Sequence, residues 1–163
     1  MPTPIHVEAA RLVLAQRWAA VATLSDGSPL ASMVAYAPEP GLSGLLMLVS
    51  QLAHHTRDML AAPRVSLAVT APDTGEGDPQ LLPRASLQGT VAQIPRNGDD
   101  FAAAAAVYVH RFPQSAMRLE LADFVLLRLT VEEARYVGGF ARAASMSGEE
   151  LREAAREVQG RAD

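Results

Sequence analysis

The stretch GLLMLVSQLAHHTRDMLAAPRVSLAVT, residues 44–70, contains three structural signals in succession. The continuous apolar run 44–50 begins at a glycine and predicts a strand that is buried on both faces. The helical pattern of residues 51–62 ends at Pro63, because proline cannot continue a helix. Residues 64–71 then alternate between apolar and polar, which is typical of a strand with one buried face. The centre of the chain is therefore predicted to be strand, helix and strand.

Further strands are predicted on both sides of this unit, mostly in hairpin connections. Residues 25–29, Ser-Asp-Gly-Ser-Pro, form a strong turn signal between two strand-like runs. Gly89 interrupts an alternating run further on and predicts a β-bulge. The predicted strands are residues 18–24, 30–37, 44–50, 64–71, 84–94 and 123–137.

Helical patterns accompany these strands, and a loop rich in glycine and proline is predicted at 72–83. The sequence Ser147-Gly-Glu-Glu150 fits a capping box at the start of the last helix. The predicted helices are residues 6–17, 51–62, 99–111 and 147–158. Hairpins interrupted by a few helices indicate an α+β fold, mainly β, and closure into a small barrel would protect the strand edges.

The composition excludes several classes of function. The chain has 163 residues, enough for one domain with a proper core, and no internal repeat. It contains no cysteine, which excludes disulfides, thiolate metal sites and cysteine nucleophiles. All 14 basic residues are arginine, and the net charge of −4 with no basic run argues against a nucleic-acid partner.

Neither a targeting segment nor a membrane span is evident in the sequence. The first residues contain no basic leader, and the apolar runs are shorter than the ~20 residues that a membrane-spanning helix needs. We therefore expect a soluble, cytoplasmic protein without a membrane partner.

Common nucleotide and metal motifs are also absent. There is neither a G-x-G-x-x-G nor a Walker A sequence. The adjacent His54 and His55 would project about 100° apart on a helix, so they cannot both bind one metal ion from the same face. We predict no metal site, and no residue qualifies as a catalytic acid or base from spacing alone.

One group of residues could hold an anion. Ser50 ends the buried strand, and the helix that follows carries histidine, Thr56 and Arg57. Hydroxyl donors, a fixed cation and backbone N–H groups suit a phosphate. The alternatives are that Arg57 pairs with an acidic residue and that Thr56 caps the helix.

Two motifs within this order of strands carry a resemblance to a known family. They are Ser-x-Leu-Ala-x-His-Thr at 50–56 and Tyr-Val-Gly-Gly-Phe-Ala-Arg-Ala at 136–143. Over residues 8–145 the chain resembles the FMN-binding split-barrel superfamily of pyridoxamine 5′-phosphate oxidase, closest to its heme-utilisation and oxidase-related branch. The resemblance implies a six-stranded antiparallel split β-barrel with flanking helices, as a single FMN-binding domain over residues 1–163. It also implies a homodimer with small-molecule sites at the interface.

The resemblance also implies site residues, carried over position by position. Three residues of the second strand would run along the flavin ring and ribityl chain. Four residues at the end of the next strand and on the helix after it would surround the phosphate, and an arginine later in the chain would approach the polar edge of the isoalloxazine. These residues are Ser32, Met33 and Val34, then Ser50, His55, Thr56 and Arg57, and finally Arg84.

The chain departs from the oxidase pattern in its charges. Its second strand carries no charge, and only one cation, Arg57, stands at the expected phosphate site. These departures argue against oxidation of pyridoxamine phosphate itself. The leading hypothesis is an FMN-binding flavoprotein, an FMN-dependent oxidoreductase acting on an unknown small molecule. One alternative is a heme-binding or heme-degrading protein with His54, His55 or His110 on the iron, and another is a non-enzymatic dimer without a cofactor.

Overall fold

The computed structural model describes residues 1–160 and contains five α-helices and eight strands. The elements are α1 (Pro4–Ala15), β1 (Trp18–Ser25), β2 (Ser28–Ala35), β3 (Ala37–Pro38), β4 (Leu45–Ser50), α2 (His54–Ala61), β5 (Arg64–Thr70), β6 (Arg84–Gln93), α3 (Phe101–Arg111), α4 (Ala116–Leu119), β7 (Phe124–Val137), β8 (Ala143–Ser147) and α5 (Gly148–Gly160).

The strands form one curled antiparallel sheet. Its order is β2-β1-β5-β6-β7-β4-β3, and β8 pairs with β7 beside this path. The sheet curls far enough for β2 to contact β4, near the opposite edge. The α+β, mainly β, split-barrel fold predicted from the sequence is therefore confirmed, with the short strands β3 and β8 added to the six expected.

The predicted bulge lies where β6 crosses β7. The register shifts between Gln88, which pairs with Glu133, and Gly89, which pairs with Val131, so Glu132 is left without a paired residue in the β6 ladder. A Cβ atom at Gly89 would collide with the carbonyl group of Thr130. Only glycine allows this close approach, and the extra residue on β7 increases the bend of the sheet.

Two hydrophobic clusters explain the burial pattern of β4. Alternate residues of β4, such as Leu45 and Met47, point into the main core inside the barrel. Leu46 and Leu48 belong to a second cluster, in which α3 covers the other face of the sheet through residues such as Tyr108. The prediction of a strand buried on both faces is confirmed.

Several element boundaries differ from those predicted. The helix expected from residue 51 begins only at His54, because Ser50 accepts the N–H groups of Leu52 and Ala53 in a turn. The strand expected to reach residue 37 ends at Ala35. The first helix spans Pro4–Ala15 instead of residues 6–17.

Three elements, β3, α4 and β8, were missing from the prediction. The β8 sequence Ala-Ala-Ser-Met-Ser lacks the β-branched and aromatic residues that mark strands. It forms because the chain reverses at Gly139, with φ of 119°, and lies back along β7. The capping box is confirmed, since Ser147 and Glu150 exchange backbone and side-chain hydrogen bonds.

None of the helices in residues 1–160 has the length and apolar character needed to cross a bilayer. The cytoplasmic location expected from the sequence stays a prediction.

Candidate functional site

A groove of about 840 Å³ lies on the outer face of the sheet, and we call it the outer groove. Its floor is made of small residues, Ala20, Ala68 and Ser86, on the neighbouring strands β1, β5 and β6. The strand register places these three in one row, with Met33 at one end and Arg135 at the other. Small side chains on three adjacent strands leave a flat surface between larger side chains.

The two sides of the outer groove differ in chemistry. On the β1–β2 side, Trp18 and Met33 remain 57% and 46% exposed, which is unusual for large apolar side chains. On the β6–β7 side lie Arg84 and Arg135. These arginines occupy diagonal positions on one face of the ladder, so their Cα atoms are about 7–8 Å apart.

Backbone and hydroxyl oxygens, rather than carboxylates, hold the two arginines. Nη1 of Arg84 donates to the carbonyl oxygens of Gln80 at 2.7 Å and Leu82 at 3.2 Å. Nη1 of Arg135 donates to Oγ of Ser145 at 3.4 Å. Neither arginine forms an ion pair within residues 1–160. Asp73 also lines the groove, but its carboxylate forms no ion pair with either arginine, so their positive charge is available to an anionic ligand.

The residues expected around a phosphate lie together at a second place, the α2 end, formed by Ser50, His55, Thr56 and Arg57. Oγ of Ser50 donates to Oδ2 of Asp123 at 3.0 Å. Arg57 is exposed, and its guanidinium has no hydrogen-bonded or ion-paired partner in the described part of the chain. It is the one cation of this group, as the sequence suggested.

Burial determines the behaviour of the remaining two residues of the α2 end. Thr56 is fully buried, and no partner for its hydroxyl is found among the described residues. Desolvation lowers the pKa of His55 below its usual value of 6.5, and the nearby carboxylate of Asp58 partly opposes this shift. The same Asp58 accepts a hydrogen bond of 3.3 Å from Thr23, which joins α2 to β1.

The structure divides the predicted site residues between these two places. Met33 and Arg84 line the outer groove, whereas four others form the α2 end. Strand β5 leads from α2 to Thr70, which pairs with Arg84, and its length separates the two places by roughly 20 Å. Within one chain the predicted residues do not form a single site, and their roles in binding stay predictions.

The other two predicted residues lie on β2 and differ in exposure. Ser32 is half-buried, while the side chain of Val34 is only 3% exposed and packs in the main core. Only the backbone of Val34 is therefore available to a ligand on the sheet surface.

Two residues of the outer groove were missed by sequence reasoning. Trp18 is the single tryptophan, and an exposed tryptophan often marks a binding surface. Its exposure follows from the alternation of β1, which places Ala19 and Val21 inside. The position of Arg135 beside Arg84 depends on the shifted β6–β7 register, which the sequence does not reveal.

The histidines considered as iron ligands lie elsewhere. His54 and His55 are on α2, and His110 is on α3 beside a separate groove that Pro38 and Pro40 also line. None of them lines the outer groove.

A curled antiparallel sheet with α2 inserted between β4 and β5 defines this chain as a split-barrel protein. Residues 5–153 match the family model described as "CREG, beta-barrel", and the chain belongs to this family. The resemblance to the split-barrel superfamily, and to its heme-utilisation branch, is thereby confirmed.

Curated relatives and a solved structure extend this comparison. The chain is 34% identical over 124 residues to the chloroplastic heme oxygenase HOZ of Arabidopsis thaliana, covering 76% of this chain but only 36% of that protein. It is 28% identical over 120 residues to the heme oxygenase HutZ of Vibrio cholerae, covering 72% and 68% of the two chains. A heme binding protein from Mycobacterium smegmatis superposes with a TM-score of 0.83 at 31% identity, covering 94% of this chain and 62% of that one. The chain therefore spans about a third of the length of HOZ.

Proposed function

We propose that this protein binds heme in the outer groove. The observation that carries the proposal is the pairing, in one groove, of exposed apolar side chains on one side with two arginines free of carboxylate partners on the other. A heme presents the same combination, a flat apolar macrocycle with two propionate carboxylates on one edge. Its volume also suits a groove of about 840 Å³, within the usual range for ligand sites.

The residues present fit each part of this ligand. Arg84 and Arg135 are expected to hold the propionates, since charged hydrogen bonds to carboxylates are strong. Trp18 would cover one part of the macrocycle, and the floor of small residues lets a flat ring approach the sheet. When bound, heme supplies an iron that can bind dioxygen or carry an electron.

The relatives support heme over flavin as the ligand. HOZ and HutZ are named heme oxygenases, and the Mycobacterium smegmatis protein is named for heme binding. We propose heme degradation as the activity that follows from binding, and it rests on those names alone.

We also propose that the protein is a homodimer with its ligand sites at the interface. The outward side chains of β1 are Trp18, Ala20, Ala22 and Leu24, which form an uncharged strip that continues the outer groove. Exposed apolar surface of this kind commonly marks a protein interface. Light scattering after size exclusion should give twice the mass of one chain, and a monomer at all concentrations would contradict this part of the proposal.

Hemin titration of the purified protein tests heme binding. We expect a Soret band with one equivalent of hemin per chain. Each of Arg84→Gln and Arg135→Gln should weaken binding by about tenfold or more, because each removes a charged hydrogen bond. The matched control is Arg57→Gln, which removes an exposed arginine from the α2 end. Loss of binding in the control but not in the groove variants would place the ligand at α2 and overturn the proposal.

FMN at the α2 end is the second candidate. The free guanidinium of Arg57 beside the turn at Ser50 favours it, since both groups suit a phosphate. A yellow protein as purified, with flavin absorbance that Arg57→Ala reduces, would support this candidate. A protein that shows neither flavin absorbance nor a thermal shift with FMN would contradict it, and failure to bind hemin as well would leave the non-enzymatic dimer.

A further inference from the structure

We propose that the outer groove selects tetrapyrroles by the position of their carboxylates. It accepts rings with two carboxylates on one edge, with or without iron, and rejects rings that carry carboxylates on all sides. This inference rests on the proposed binding of heme in the outer groove and names the class of ligand that the groove takes. It follows from the side chains that lie at each edge of the floor.

The floor determines how a flat ring lies in the groove. Ala20, Ala68 and Ser86 occupy one row on three neighbouring strands, and their side chains are too short to rise between a ring and the sheet. Met33 continues this row at one end and Arg135 at the other, four strand spacings or roughly 19 Å away. A ring that lies on the floor therefore meets these larger side chains at its edges and not over its centre.

The two opposite edges of the floor differ in charge. One edge carries Trp18 and Met33, which are exposed and uncharged. The other edge carries Arg84 and Arg135, which form no ion pair within residues 1–160. A carboxylate at the arginine edge gains charged hydrogen bonds, whereas a carboxylate placed against Trp18 and Met33 loses water without gaining an oppositely charged partner.

A further side of the groove carries a negative charge. Asp73 follows β5 and lines the groove, and its Oδ1 atom accepts a hydrogen bond of 2.8 Å from the N–H of Gly75. Because like charges repel, Asp73 disfavours a ligand carboxylate on this side. The groove therefore favours ligand carboxylates at its arginine edge.

None of these contacts requires iron in the ligand. Trp18 and the floor contact the macrocycle, and the two arginines bind the carboxylates. Protoporphyrin IX has the same macrocycle and the same two carboxylates as heme. The contacts come from the chain that forms the floor, so they also apply when a second chain covers the other face of the ring in the proposed homodimer. We therefore expect the groove to bind the iron-free porphyrin.

Trp18 provides a direct measure of occupancy, because it is the single tryptophan of the chain and lines the groove. The quenching of its fluorescence is titrated with hemin, protoporphyrin IX, protoporphyrin IX dimethyl ester and coproporphyrin III, which carries four carboxylates around the ring. The Kd values of hemin and protoporphyrin IX should agree within about tenfold. The ester lacks the charges that the arginines bind, so its Kd should be at least about tenfold higher. Coproporphyrin III should be weakened to a similar degree, because two of its carboxylates lose water at the apolar edge.

Met33→Arg places a cation at the apolar edge and tests the inference by a gain of binding. This variant should bind coproporphyrin III about tenfold more tightly than the wild type does. Met117→Arg is the matched control, since Met117 is 82% exposed on α4 and does not line the outer groove. Unchanged circular dichroism should show that both variants are folded.

The results that would overturn the inference can be told apart from failure of the proposed function. Hemin bound more than about tenfold more tightly than protoporphyrin IX would show that the iron itself is recognised, and heme binding would remain intact. Equal binding of coproporphyrin III and protoporphyrin IX, or no gain in Met33→Arg, would refute selection by the position of the carboxylates. If neither hemin nor protoporphyrin IX quenched Trp18, the proposed function would fail together with this inference.

Discussion

At the α2 end, Ser50 is bonded to Asp123, Thr56 lies inside the protein and Arg57 is the single exposed arginine, whereas the outer groove holds two arginines without carboxylate partners. Ser50 is paired with Asp123 and Thr23 with Asp58. In the groove, Arg84 is held by backbone carbonyls that leave its charge uncompensated. Hydrogen bonds between side chains of the protein stabilise the fold, whereas a charged side chain without an oppositely charged partner is available to a ligand. Arg57 at the α2 end also lacks a carboxylate partner, so the two regions differ in the number of such arginines, one against two, and the proposal that the groove binds the ligand rests on this difference.

The largest effect is expected at Gly89, because β6 contacts α2 and also carries Arg84 at its start. Gly89→Ala should lower the free energy of unfolding by on the order of 3 kcal/mol, since its Cβ meets the backbone of Thr130. Urea unfolding measures this loss. Gly160→Ala, where a Cβ meets nothing, is the control. If Gly89→Ala left the free energy of unfolding unchanged, the fold that holds the α2 end and the outer groove would not depend on the bulge.

Ser50→Ala should have the next largest effect. It removes the hydrogen bond to Asp123 and the one that Ser50 accepts from Leu52, so we expect a loss of about 1 kcal/mol in unfolding free energy. Hemin affinity should not change. Ser66→Ala, on the outer face of β5, provides a comparison without such a bond. Hemin binding weakened by Ser50→Ala would argue against a purely structural α2 end.

Thr56→Val should change stability in the opposite direction. A fully buried hydroxyl without a partner carries a desolvation cost, so its replacement by an isosteric methyl should stabilise the protein by up to ~1 kcal/mol. Thr90→Val should instead destabilise, because the hydroxyl of Thr90 donates to Glu132. Thermal melts of the two variants give the comparison. A destabilised Thr56→Val would mean that the Thr56 hydroxyl has a partner, such as a bound water.

The smallest effect concerns the pH dependence of stability at His55. Its pKa in the folded protein lies below that of the unfolded chain, so the unfolded chain binds the proton more readily. This contribution is therefore complete above about pH 6.5 and declines as the pH falls below that value. His55→Asn should flatten the acid limb of a plot of urea midpoint against pH. Identical curves for wild type and His55→Asn would show that His55 makes no such contribution to stability.

The sequence contained the fold more completely than the site. The run 44–50, the glycine of the bulge and the capping box each act through local chemistry, and all three were predicted correctly. Strand β8 has no strand-forming residues and exists because β7 offers it an edge, so no local signal could reveal it.

The outer groove shows a second reason why the sequence does not reveal the whole candidate site. Arg84 and Arg135 are 51 positions apart in sequence and become neighbours only through the β6–β7 register. The motif at 50–56 drew attention to the α2 end, where the residues are close in sequence. Residues that are close in sequence could be predicted to lie together, whereas residues that are neighbours only across two strands could be recognised only in the structure.

The burial of β4 on both faces has a consequence for how the chain is made. Its last residue, Ser50, bonds to Asp123, which is 73 residues further along. During synthesis the apolar run therefore leaves the ribosome well before β7 and α3, which cover its edge and its outer face. Until those residues have been synthesised, an apolar strand with unpaired backbone hydrogen-bonding groups is exposed, and such segments are prone to aggregation. Pairs this distant in sequence also slow folding, so newly made chains of this protein are expected to depend on chaperones for longer than a helical protein of the same size.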